Sequence, residues 1–534
     1  MNRSGAATTS LASTLVEMLK DEGVKRIFGI PGGGSSLALI EAAGRTGLDF
    51  VLTRTETAAA IMAAVTGELT AIPGVLLTGV GPGATSAVNG IAYASLEKAP
   101  VILITDGPAS SPHQALDQNA LYKPITKLQG RLQPADGPEI FARAIETAMT
   151  PPWGPVQLDL TAGDAAAPIT SGAARSAKAH PPLPSDEALE KAHKLLSEAN
   201  KPIILAGLEA RQNHAPQSLQ MLADTLGCPV LASYKASGVL PSSHKCFAGL
   251  FTGSAAESGL IHEADLIVFF GFDAIEIIPG EWPYTCPIVD LCVADATPMP
   301  KSPDVCVIGD LSRIVDALVS DLKSSDWEVK DIKKARKIIS QTSILGGNDH
   351  TAQSAVEAAA SIAPAGMRLT VDAGAHMFAA LGFWPAEEAF GVFKSNGLST
   401  MGYALPAAIA LALEEPESPV LAVTGDGGMM MCLTELTTAI EHDCDITVLV
   451  INDAALSLID IKQQRQQYRN SGVRYPGTDF ARTAESLGCR AWRVEANGDL
   501  AAVLKEAIAF KGPSLVDVVA NPDGYGEQLE RLRG

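Results

Sequence analysis

The sequence predicts an α/β protein with three doubly wound parallel-sheet domains. The chain has 534 residues, which corresponds to about three domains at roughly 100–200 residues each. Short apolar runs alternate with Ala-rich amphipathic stretches along its length, which is the pattern of strand–helix–strand units. Hydrophobic residues make up 47% and charged residues 19% of the chain, so a large buried core is available.

The predicted strands fall into three blocks of similar size. The first block, residues 1–170, contains apolar runs at 25–30, 50–53, 75–80, 101–106 and 156–160. A linker rich in Ala, Ser and Pro over 165–185 precedes the second block, 186–330, with runs at 202–206, 229–232, 266–270, 288–292 and 305–309. A charged helix over 326–341 leads into the third block, 345–534, with runs at 369–372, 389–393, 420–424, 446–451 and 514–519.

The composition indicates which kinds of partner the protein binds and in which cellular compartment it works. Asp and Glu total 60 against 40 Lys and Arg, a net charge of −20, which disfavours binding to nucleic acid or to an anionic membrane. No apolar run reaches the ~18–20 residues that span a bilayer, and the N-terminus lacks the apolar segment of a secretory signal. The eight cysteines form no CxxC pair, so we expect buried free thiols, a reducing compartment and a cytoplasmic location.

Two acidic turns in the third block predict a metal site. The run 420–424 leads into Gly425-Asp426-Gly427-Gly428, and the run 446–451 is followed by Asn452-Asp453. Because parallel strands end at the same edge of a sheet, we expect the two carboxylates to lie together. Carboxylates and a loop carbonyl are ligands that Mg²⁺ prefers, and phosphate oxygens can complete its octahedron. The alternative is that both acids only cap helices.

This pair of turns resembles the signature of thiamine-diphosphate-dependent enzymes, GDG followed after a helix and a strand by NN. The resemblance implies that Asp426, Asp453 and the carbonyl of Ala455 bind Mg²⁺. Asp453 stands where Asn is commoner, and its added negative charge should hold the cation more tightly. The resemblance also implies that other residues of these turns contact the cofactor, namely Gly425, Gly427, Gly428 and Leu456.

Two further segments of the third block extend the resemblance. Residues 395–408, SNGLSTMGYALPAA, are similar to the family's GGLGTMGFGLPAA run. The match implies that Leu398, Ser399 and Met401 bind the cofactor, and that Met401 wedges between its two rings and enforces a bent shape. Residues 372–376, DAGAH, resemble the diphosphate-contacting DxGxH segment, and only His376 is carried over because Ala375 replaces the usual Gln.

The first block supplies the residue that activates the cofactor. Residues 54–60, RTETAAA, resemble the family's RHExxAA motif, with Thr55 at the position of the His. The match implies that Glu56 hydrogen-bonds the pyrimidine N1′ and drives the shift to the imino tautomer. The turns FGIPGG and VGPGATS resemble cofactor-facing turns of the family and add Gly29, Pro31, Gly32, Gly81, Pro82 and Gly83.

The loop after the fourth predicted strand carries residues that differ between carboligases and simple decarboxylases of the family. Residues 113–117, HQALD, resemble the FQExD loop of carboligases of the acetolactate synthase type, so Gln114 is a catalytic candidate. His113 is a second candidate, because simple decarboxylases carry a His pair in this loop. Gln cannot readily donate the proton that releases an aldehyde, and we therefore expect carboligation.

The resemblance covers nearly the whole chain, as pyrimidine-binding (1–170), central (186–330) and diphosphate-binding (345–534) domains. It implies an enzyme similar to the acetolactate synthase large subunit, which decarboxylates a 2-oxo acid such as pyruvate and ligates the enamine to a second carbonyl. It also implies a homodimer or homotetramer with the active site at a subunit interface, where Glu56 of one subunit meets Asp426 and Asp453 of another. Residues 249–253 depart from the family's flavin-contacting pattern, so we expect FAD to be absent.

Other interpretations remain open. The first keeps the same cofactor and makes the chain a non-ligating decarboxylase, or a C–C lyase or hydrolase. A dinucleotide-dependent oxidoreductase would use 79–84 as a phosphate loop, but GVGPGA lacks the GxGxxG spacing. A non-catalytic regulatory homologue would not need the intact set of Glu56, Asp426 and Asp453. Finally, Lys462, Gln463 and Arg465 either meet a substrate carboxylate or form a solvated helix face.

Overall fold

The computed structural model describes residues 9–107, 113–169, 174–176, 181–277, 282–295, 299–342, 344 and 349–533. These residues form two compact units. One comprises the described part of 1–180 together with Ile409–Glu414, and the other comprises the described parts of 181–408 and 415–534. The predicted boundaries near 170 and 345 lie outside the described residues, so the domain limits stay predictions.

The N-terminal domain contains a parallel sheet in the order β3-β2-β4-β5-β7-β6, and a short antiparallel pair of β1 with β8. Its strands are β1 (Thr9–Ser10), β2 (Arg26–Gly29), β3 (Asp49–Leu52), β4 (Gly74–Thr78), β5 (Val101–Asp106), β6 (Leu128–Leu132), β7 (Val156–Leu160) and β8 (Pro168–Ile169). Its helices are α1 (Leu11–Asp21), α2 (Ser35–Thr46), α3 (Glu56–Thr70), α4 (Pro82–Ser86), α5 (Val88–Leu96), α6 (Gln118–Tyr122), α7 (Gly137–Met149) and α8 (Ala162–Ala166), with a 3₁₀ turn at Lys123–Ile125.

The central domain contains a parallel sheet in the order β11-β10-β9-β12-β13-β14. Its strands are β9 (Pro202–Ala206), β10 (Val230–Ala232), β11 (Phe247–Leu250), β12 (Leu266–Phe270), β13 (Ile288–Cys292) and β14 (Val305–Ile308). Its helices are α9 (Asp186–Glu198), α10 (Ala215–Leu226), α11 (Ala255–His262), α12 (Leu311–Leu318) and α13 (Val329–Gln341), with 3₁₀ turns at Leu208–Arg211 and Ala274–Glu276.

The C-terminal domain contains a parallel sheet in the order β16-β15-β17-β18-β20-β19. Its strands are β15 (Arg368–Val371), β16 (Val392–Lys394), β17 (Val420–Gly425), β18 (Ile446–Asn452), β19 (Arg490–Val494) and β20 (Ser514–Val519). Its helices are α14 (Ala352–Ile362), α15 (His376–Phe383), α16 (Ala404–Glu414), α17 (Asp426–Cys432), α18 (Leu436–Glu441), α19 (Ser457–Arg465), α20 (Phe480–Ser486), α21 (Leu500–Ala509) and α22 (Tyr525–Arg533), with a 3₁₀ turn at Leu433–Glu435.

The strand orders show where each sheet can bind a ligand. The N-terminal and C-terminal sheets follow the same order when their strands are counted within the domain, and the central sheet follows a different one. In open α/β sheets, ligands bind beyond the carboxyl ends of the strands, where the strand order reverses direction. That point lies between β2 and β4 in the N-terminal domain and between β15 and β17 in the C-terminal domain.

The prediction of three doubly wound parallel-sheet domains is confirmed, with one strand of each six-stranded sheet missed, together with the short strands β1 and β8. The missed sheet strands are β6, β11 and β19, and each lies at an edge of its sheet. Each mixes buried residues with exposed or half-buried ones, so no continuous apolar run marks them. The predicted linker was also drawn too early, because β8 pairs with β1.

Two further properties of the chain are the length of its helices and the burial of its cysteines. None of the helices in the described ranges is long and apolar enough to cross a membrane. The eight cysteines are free thiols, and six of them are buried. The expectation of buried thiols is wrong for Cys306, which is exposed because it lies on the edge strand β14.

Candidate active site

The structure brings Asp426 and Asp453 together, as expected from the two acidic turns. Strands β17 and β18 pair in parallel with Gly425 opposite Ile451, so Asp426 and Asp453 leave neighbouring strands at the same sheet edge. Burial, and then the charge of Asp426, raise the pKa of Asp453 from 3.8 to about 7. Burial also raises the pKa of Asp426. Two neighbouring carboxylates repel each other when both are ionised, and a bound cation would offset that repulsion.

The two carboxylate oxygens of Asp426 have different surroundings. Oδ1 accepts hydrogen bonds from the Gly427 N–H at 2.7 Å and from the Tyr475 hydroxyl at 2.8 Å. Oδ2 is buried and accepts none from the described residues. A buried carboxylate oxygen without a donor is a group whose ordinary explanation is a ligand or ion. Sequence reasoning missed Tyr475, which lies in a loop without a strand-end signal.

Asp453 is held by the start of the following helix. Its Oδ2 accepts from the Ser457 hydroxyl at 2.7 Å, and its Oδ1 accepts from the Ala455 N–H at 3.2 Å. Main-chain hydrogen bonds of 3.2 and 2.8 Å join Ala454 and Leu456 to the segment 473–475. The alternation of this pairing leaves the Ala455 carbonyl, the third expected ligand of Mg²⁺, outside the ladder.

Gly427, next to Asp426, is lined by the ends of three side chains. A Cβ added at Gly427 would lie 2.8 Å from Leu456 Cδ2, 3.2 Å from Tyr475 Oη and 3.3 Å from Met401 Cε. The sequence-predicted residues Met401 and Leu456 therefore lie against the same turn as the acidic pair. The concave surface that they form with Gly427 is the kind of cradle that admits a phosphate group.

Asp372 connects the separate turns of this site, and sequence reasoning carried no role over to it. It follows β15, is fully buried, and accepts hydrogen bonds at 3.0 Å from the Gly402 N–H and the Thr424 hydroxyl. A Cβ added at Gly428 would lie 2.6 Å from its Oδ2. Burial raises the pKa of Asp372 to about 6. This carboxylate positions the Met401 loop and the acidic turn with respect to each other.

His376 begins α15 beside the end of β17. A Cβ added at Gly425 would lie 3.1 Å from its Cε1 and Nδ1 atoms, so the ring packs against the glycine that precedes Asp426. Burial lowers the pKa of His376 to about 4, and the imidazole is neutral at pH 7. Its Nε2 is buried and has no hydrogen-bond partner among the described residues, which suits a contact with a phosphate oxygen.

The remaining predicted residues of this domain have clear positions. Leu398 is half-buried and Ser399 exposed in the loop between β16 and α16, where Ser399 has a left-handed φ of 51°. In α19, Gln463 bonds the main chain of Ser471, and Arg465 pairs with Glu530 at 3.5 Å. Gln463 and Arg465 therefore have structural partners, whereas Lys462 is exposed.

A divalent cation and a diphosphate fit these residues. Asp426 Oδ2, the Ala455 carbonyl and the Asp453 carboxylate are oxygen ligands of the type that Mg²⁺ takes. His376 Nε2, which has no partner among the described residues, and the small Gly427 leave these positions to a ligand such as a phosphate group. The site also matches the point in the sheet where the strand order reverses.

In the N-terminal domain, Glu56 is the first residue of α3, and Thr55 caps that helix by accepting from the Ala58 N–H at 3.1 Å. A Cβ added at Gly83 would lie 3.1 Å from Glu56 Oε1. Burial, and then the charge of Glu56, raise the pKa of Tyr122. The carboxylate of Glu56 therefore lies half-buried against the predicted VGPGATS turn and the Tyr122 ring.

The structure also brings Gln114 to that turn. Gln114 has a left-handed φ of 57°, a backbone conformation that costs a non-glycine residue about 1–3 kcal/mol. A Cβ added at Gly81, itself at φ 65°, would lie 2.8 Å from the Gln114 carbonyl oxygen. The side chains of Gln114 and His113 are exposed. The preceding residues 108–112 lie outside the described part of the chain.

Two buried residues hold these turns, and both went unnoticed in the sequence. Asp106 ends β5 and accepts hydrogen bonds of 2.7–2.9 Å from Ser35 and Ser36, which follow the FGIPGG turn. A Cβ added at Gly32 would collide with the Asp106 carboxylate. Gln118 accepts from the Gly81 N–H at 3.1 Å and donates to the Asp106 carbonyl at 3.1 Å.

The other predicted residues of these turns have simpler surroundings. Gly29 packs so closely on β4 that a Cβ there would collide with its main chain. Pro31 is exposed, and Pro82 opens α4 at a position where its missing N–H costs no helical hydrogen bond.

Comparisons with known proteins agree with this arrangement. Three family models match, described as the N-terminal TPP binding domain (residues 9–129), the central domain (189–318) and the C-terminal TPP binding domain (372–518) of thiamine pyrophosphate enzymes. Thiamine pyrophosphate, or TPP, is thiamine diphosphate. The three matches follow one another in the order of the three observed sheets.

Curated relatives match over nearly their whole length. The chain is 28% identical over 541 residues to acetolactate synthase of Bacillus subtilis, covering 97% of this chain and 94% of the relative. It is 28% identical to the probable acetolactate synthase large subunit of Methanocaldococcus jannaschii, covering 96% and 92%. It is also 28% identical to the acetolactate synthase isozyme 1 large subunit of Escherichia coli, covering 95% and 93%. The chain therefore belongs to the thiamine-diphosphate-dependent enzymes, as a carboligase or decarboxylase that resembles acetolactate synthase.

Proposed function

We propose that this enzyme is an Mg²⁺-dependent carboligase of the acetolactate synthase type. It decarboxylates a 2-oxo acid such as pyruvate and joins the remaining fragment to a second carbonyl compound. The names of the relatives support the reaction type. The observation that carries the proposal is the pairing of the buried Asp426 with the half-buried Asp453, in which Asp426 Oδ2 has no hydrogen-bond donor among the described residues.

Each residue of the C-terminal domain has a binding role in this proposal. Asp426, Asp453 and the Ala455 carbonyl hold Mg²⁺, and His376 contacts the diphosphate through Nε2. Gly425, Gly427, Gly428, Leu398, Ser399 and Leu456 line the cofactor, and Met401 supports its bent shape. When bound, thiamine diphosphate supplies a nucleophilic carbon and an electron sink for the electron pair that stays on the substrate fragment when CO₂ leaves.

The N-terminal domain activates the cofactor and orients the second carbonyl compound. Glu56 holds a proton at the pyrimidine N1′, because its carboxylate at the start of α3 is only partly hydrated. Gln114 hydrogen-bonds the oxygen of the second carbonyl through its side-chain amide, which donates without giving up a proton. His113 is a second polar group on the same exposed loop. Gly29, Pro31, Gly32, Gly81, Pro82 and Gly83 form the cofactor-facing turns.

Three further properties belong to the proposal. The enzyme is a homodimer or homotetramer with the active site at a subunit interface, and it is cytoplasmic. It works without FAD, a proposal supported by the departure of residues 249–253 from the family's flavin-contacting pattern. The domain limits are 1–170, 186–330 and 345–534. A non-ligating decarboxylase and a C–C lyase or hydrolase are the alternatives within the same cofactor class.

Product analysis tests the reaction. The holoenzyme with thiamine diphosphate and Mg²⁺ is incubated with pyruvate, and then with pairs of 2-oxo acids and aldehydes, and the products are identified by mass spectrometry. We expect a C–C-linked hydroxyketone or hydroxy-oxo acid, lost when Mg²⁺ is chelated. Free aldehyde as the sole product would replace the carboligase by a simple decarboxylase.

Glu56→Gln tests the activating residue. The amide keeps the size of the side chain but cannot hold the proton in the same way, so we expect kcat to fall by about 100-fold or more. Thiamine diphosphate should still bind, as calorimetry can measure, because Glu56 is not one of the proposed diphosphate or Mg²⁺ contacts. Glu41→Gln, an exposed acid of α2, is the matched control, and wild-type turnover of E56Q would remove Glu56 from this role.

A further inference from the structure

Three possible metal ligands meet on one face of the central sheet. Asp290 and Cys292 lie on β13, and Cys306 lies on β14, directly opposite Asp290 in the parallel register. One ligand atom from each residue lies within 4.8 Å of the other two. The two sulfur atoms are 3.5 Å apart. The cluster is thus assembled by strand register and by no local motif, since Cys292 and Cys306 are far from CxxC spacing.

This cluster, Asp290–Cys292–Cys306, lies in the central domain, whereas the candidate active-site residues follow strands of the N-terminal and C-terminal sheets. Within the central sheet the strand order reverses between β9 and β12, and the cluster lies away from that point, on β13 and the edge strand β14. Asp290 and Cys292 are buried, and Cys306 is exposed. The cluster therefore has two ligands fixed in the interior and a third on the side from which a solvated ion arrives.

The charges around the cluster favour a cation. Asp290 interacts electrostatically with both cysteines, Glu209 interacts with Cys292, and Asp295 interacts with Cys306. The two sulfur atoms lie 3.5 Å apart, within hydrogen-bonding distance of each other. Two sulfur ligands surrounded by carboxylates make an electronegative pocket, whose charge a bound cation would offset.

We propose that Asp290, Cys292 and Cys306 form a site for a thiophilic divalent cation such as Zn²⁺, with water as the fourth ligand. Tetrahedral Zn²⁺ with Zn–S bonds of about 2.3 Å holds its sulfurs roughly 3.8 Å apart, close to the observed separation of 3.5 Å. Binding forms two Zn–S bonds and one Zn–O bond to the protein and releases the thiol protons to solvent. No electrons are transferred.

The sulfur separation favours a cation over a disulfide. A disulfide requires an S–S length of about 2.05 Å, so the sulfurs would have to approach by more than an ångström across paired strands. A cation needs only a small opening of the same pair. Bound metal would join the edge strand β14 to β13 and stabilise the central domain.

The test uses the full-length enzyme with thiamine diphosphate and Mg²⁺ present. Reduced protein is treated with a chelator, dialysed, and titrated with Zn²⁺ and, as a spectroscopic probe, Co²⁺. We expect about one Zn²⁺ per chain, thiolate-to-Co²⁺ charge-transfer bands, and a higher unfolding temperature with Zn²⁺. Cys306→Ser changes an exposed position and should fold, and we expect at least about 10-fold weaker Zn²⁺ binding without charge-transfer bands.

Cys286→Ser is the matched control, because Cys286 is a half-buried thiol of the same domain outside the cluster. It should bind Zn²⁺ and Co²⁺ like the wild type. Asp290→Asn should weaken Zn²⁺ binding while keeping the charge-transfer bands. Equal Zn²⁺ binding by the wild type and C306S would overturn the proposal. So would a Cys292–Cys306 disulfide in the air-oxidised protein combined with no Co²⁺ bands in the reduced protein.

Discussion

Tyr475 holds one oxygen of Asp426 while the other oxygen stays open. Its hydroxyl donates to Oδ1 at 2.8 Å, and burial together with that hydrogen bond raises the pKa of Tyr475, so the hydroxyl keeps its proton. A partner that fixes a ligating carboxylate also orients the oxygen that faces the cation. Tyr475 is therefore a positioning residue for the proposed Mg²⁺ site.

Tyr475→Phe should weaken the binding of Mg²⁺ with thiamine diphosphate by about 10–100-fold. The ring remains and the hydroxyl is lost, so Asp426 becomes free to rotate. Titration calorimetry measures the effect without relying on turnover, and excess Mg²⁺ should restore activity. Tyr468→Phe, at an exposed tyrosine, is the control. Unchanged affinity in Y475F would show that Asp426 is held by the main chain alone.

Asp453 makes the metal-free protein sensitive to pH. Its pKa is raised from 3.8 to about 7, so the folded chain binds this proton more tightly than the unfolded chain does. The stability that this carboxyl contributes is present at low pH and is lost as the pH rises from about 4 to about 7. His376, with a pKa lowered to about 4, acts in the opposite direction, because its stability is lost as the pH falls below about 6.5.

Asp453→Asn should therefore stabilise the metal-free protein at pH 8 by about 1–3 kcal/mol and leave it nearly unchanged at about pH 4. The contribution of His376 is the same in both proteins and cancels in the comparison. Chemical unfolding in the presence of a chelator measures the difference. The amide keeps a ligand oxygen but loses a charge, so Mg²⁺ should bind less tightly. A variant less stable at both pH values would contradict the explanation.

The first turn of α17 contains two glycines with different requirements. At Gly427 an added Cβ meets the ends of the flexible side chains of Leu456 and Met401 and the Tyr475 hydroxyl, whereas at Gly428 it meets the fixed carboxylate of Asp372 at 2.6 Å. The helix itself begins at Asp426. The turn therefore combines a side lined by movable side-chain ends, at Gly427, with a side packed on a fixed carboxylate, at Gly428.

Gly427→Ala should fold with near-wild-type stability, because the ends of Leu456 and Met401 can move, and bind thiamine diphosphate poorly, because the displaced side chains are proposed to line the cofactor. Gly428→Ala should lower the unfolding free energy by about 1–3 kcal/mol, because the packed side cannot give way. Thermal unfolding and cofactor calorimetry separate the two effects. Gly477→Ala, where an added Cβ meets nothing within 4 Å, is the control. Equal stability losses in the first two variants would refute the distinction.

Central strands were predictable from the sequence and edge strands were not. β17 and β18 are buried on both faces and are continuous apolar runs. β19 mixes exposed and buried residues, and its pattern of Arg490, Trp492 and Arg493 gives no continuous apolar run. The motifs that follow central strands were therefore placed correctly, because a strand end next to a glycine-rich turn is a local signal.

At the scale of the whole molecule, the N-terminal and C-terminal domains share one strand order. Each presents its predicted residues where that order reverses: the FGIPGG and VGPGATS turns follow β2 and β4, while the His376 and Asp426 turns follow β15 and β17. In a symmetric oligomer, two such domains from different subunits can complete one site, and every subunit then contributes to two sites.

Mixed oligomers test this arrangement. Glu56→Gln and Asp426→Asn subunits should each be inactive alone. When both are co-expressed in equal amounts, random pairing restores one intact site in each mixed dimer, and about a quarter of the wild-type activity should return. Pairing E56Q with the double variant E56Q/D426N restores no intact site and is the control. Activity that stays absent in the first mixture would place Glu56 and Asp426 of the same subunit in one site.

The sequence by itself determined the α/β class and the cofactor family, and it singled out Glu56, Asp426 and Asp453 as candidate site residues. These depend on local patterns: a buried run, a glycine turn and an acid within a few positions. Only the tertiary structure identified Tyr475, Asp372, Asp106 and the Asp290–Cys292–Cys306 cluster. Their partners lie on other strands and loops, and sheet register and loop paths, which leave no periodic trace in the sequence, decide which of them meet.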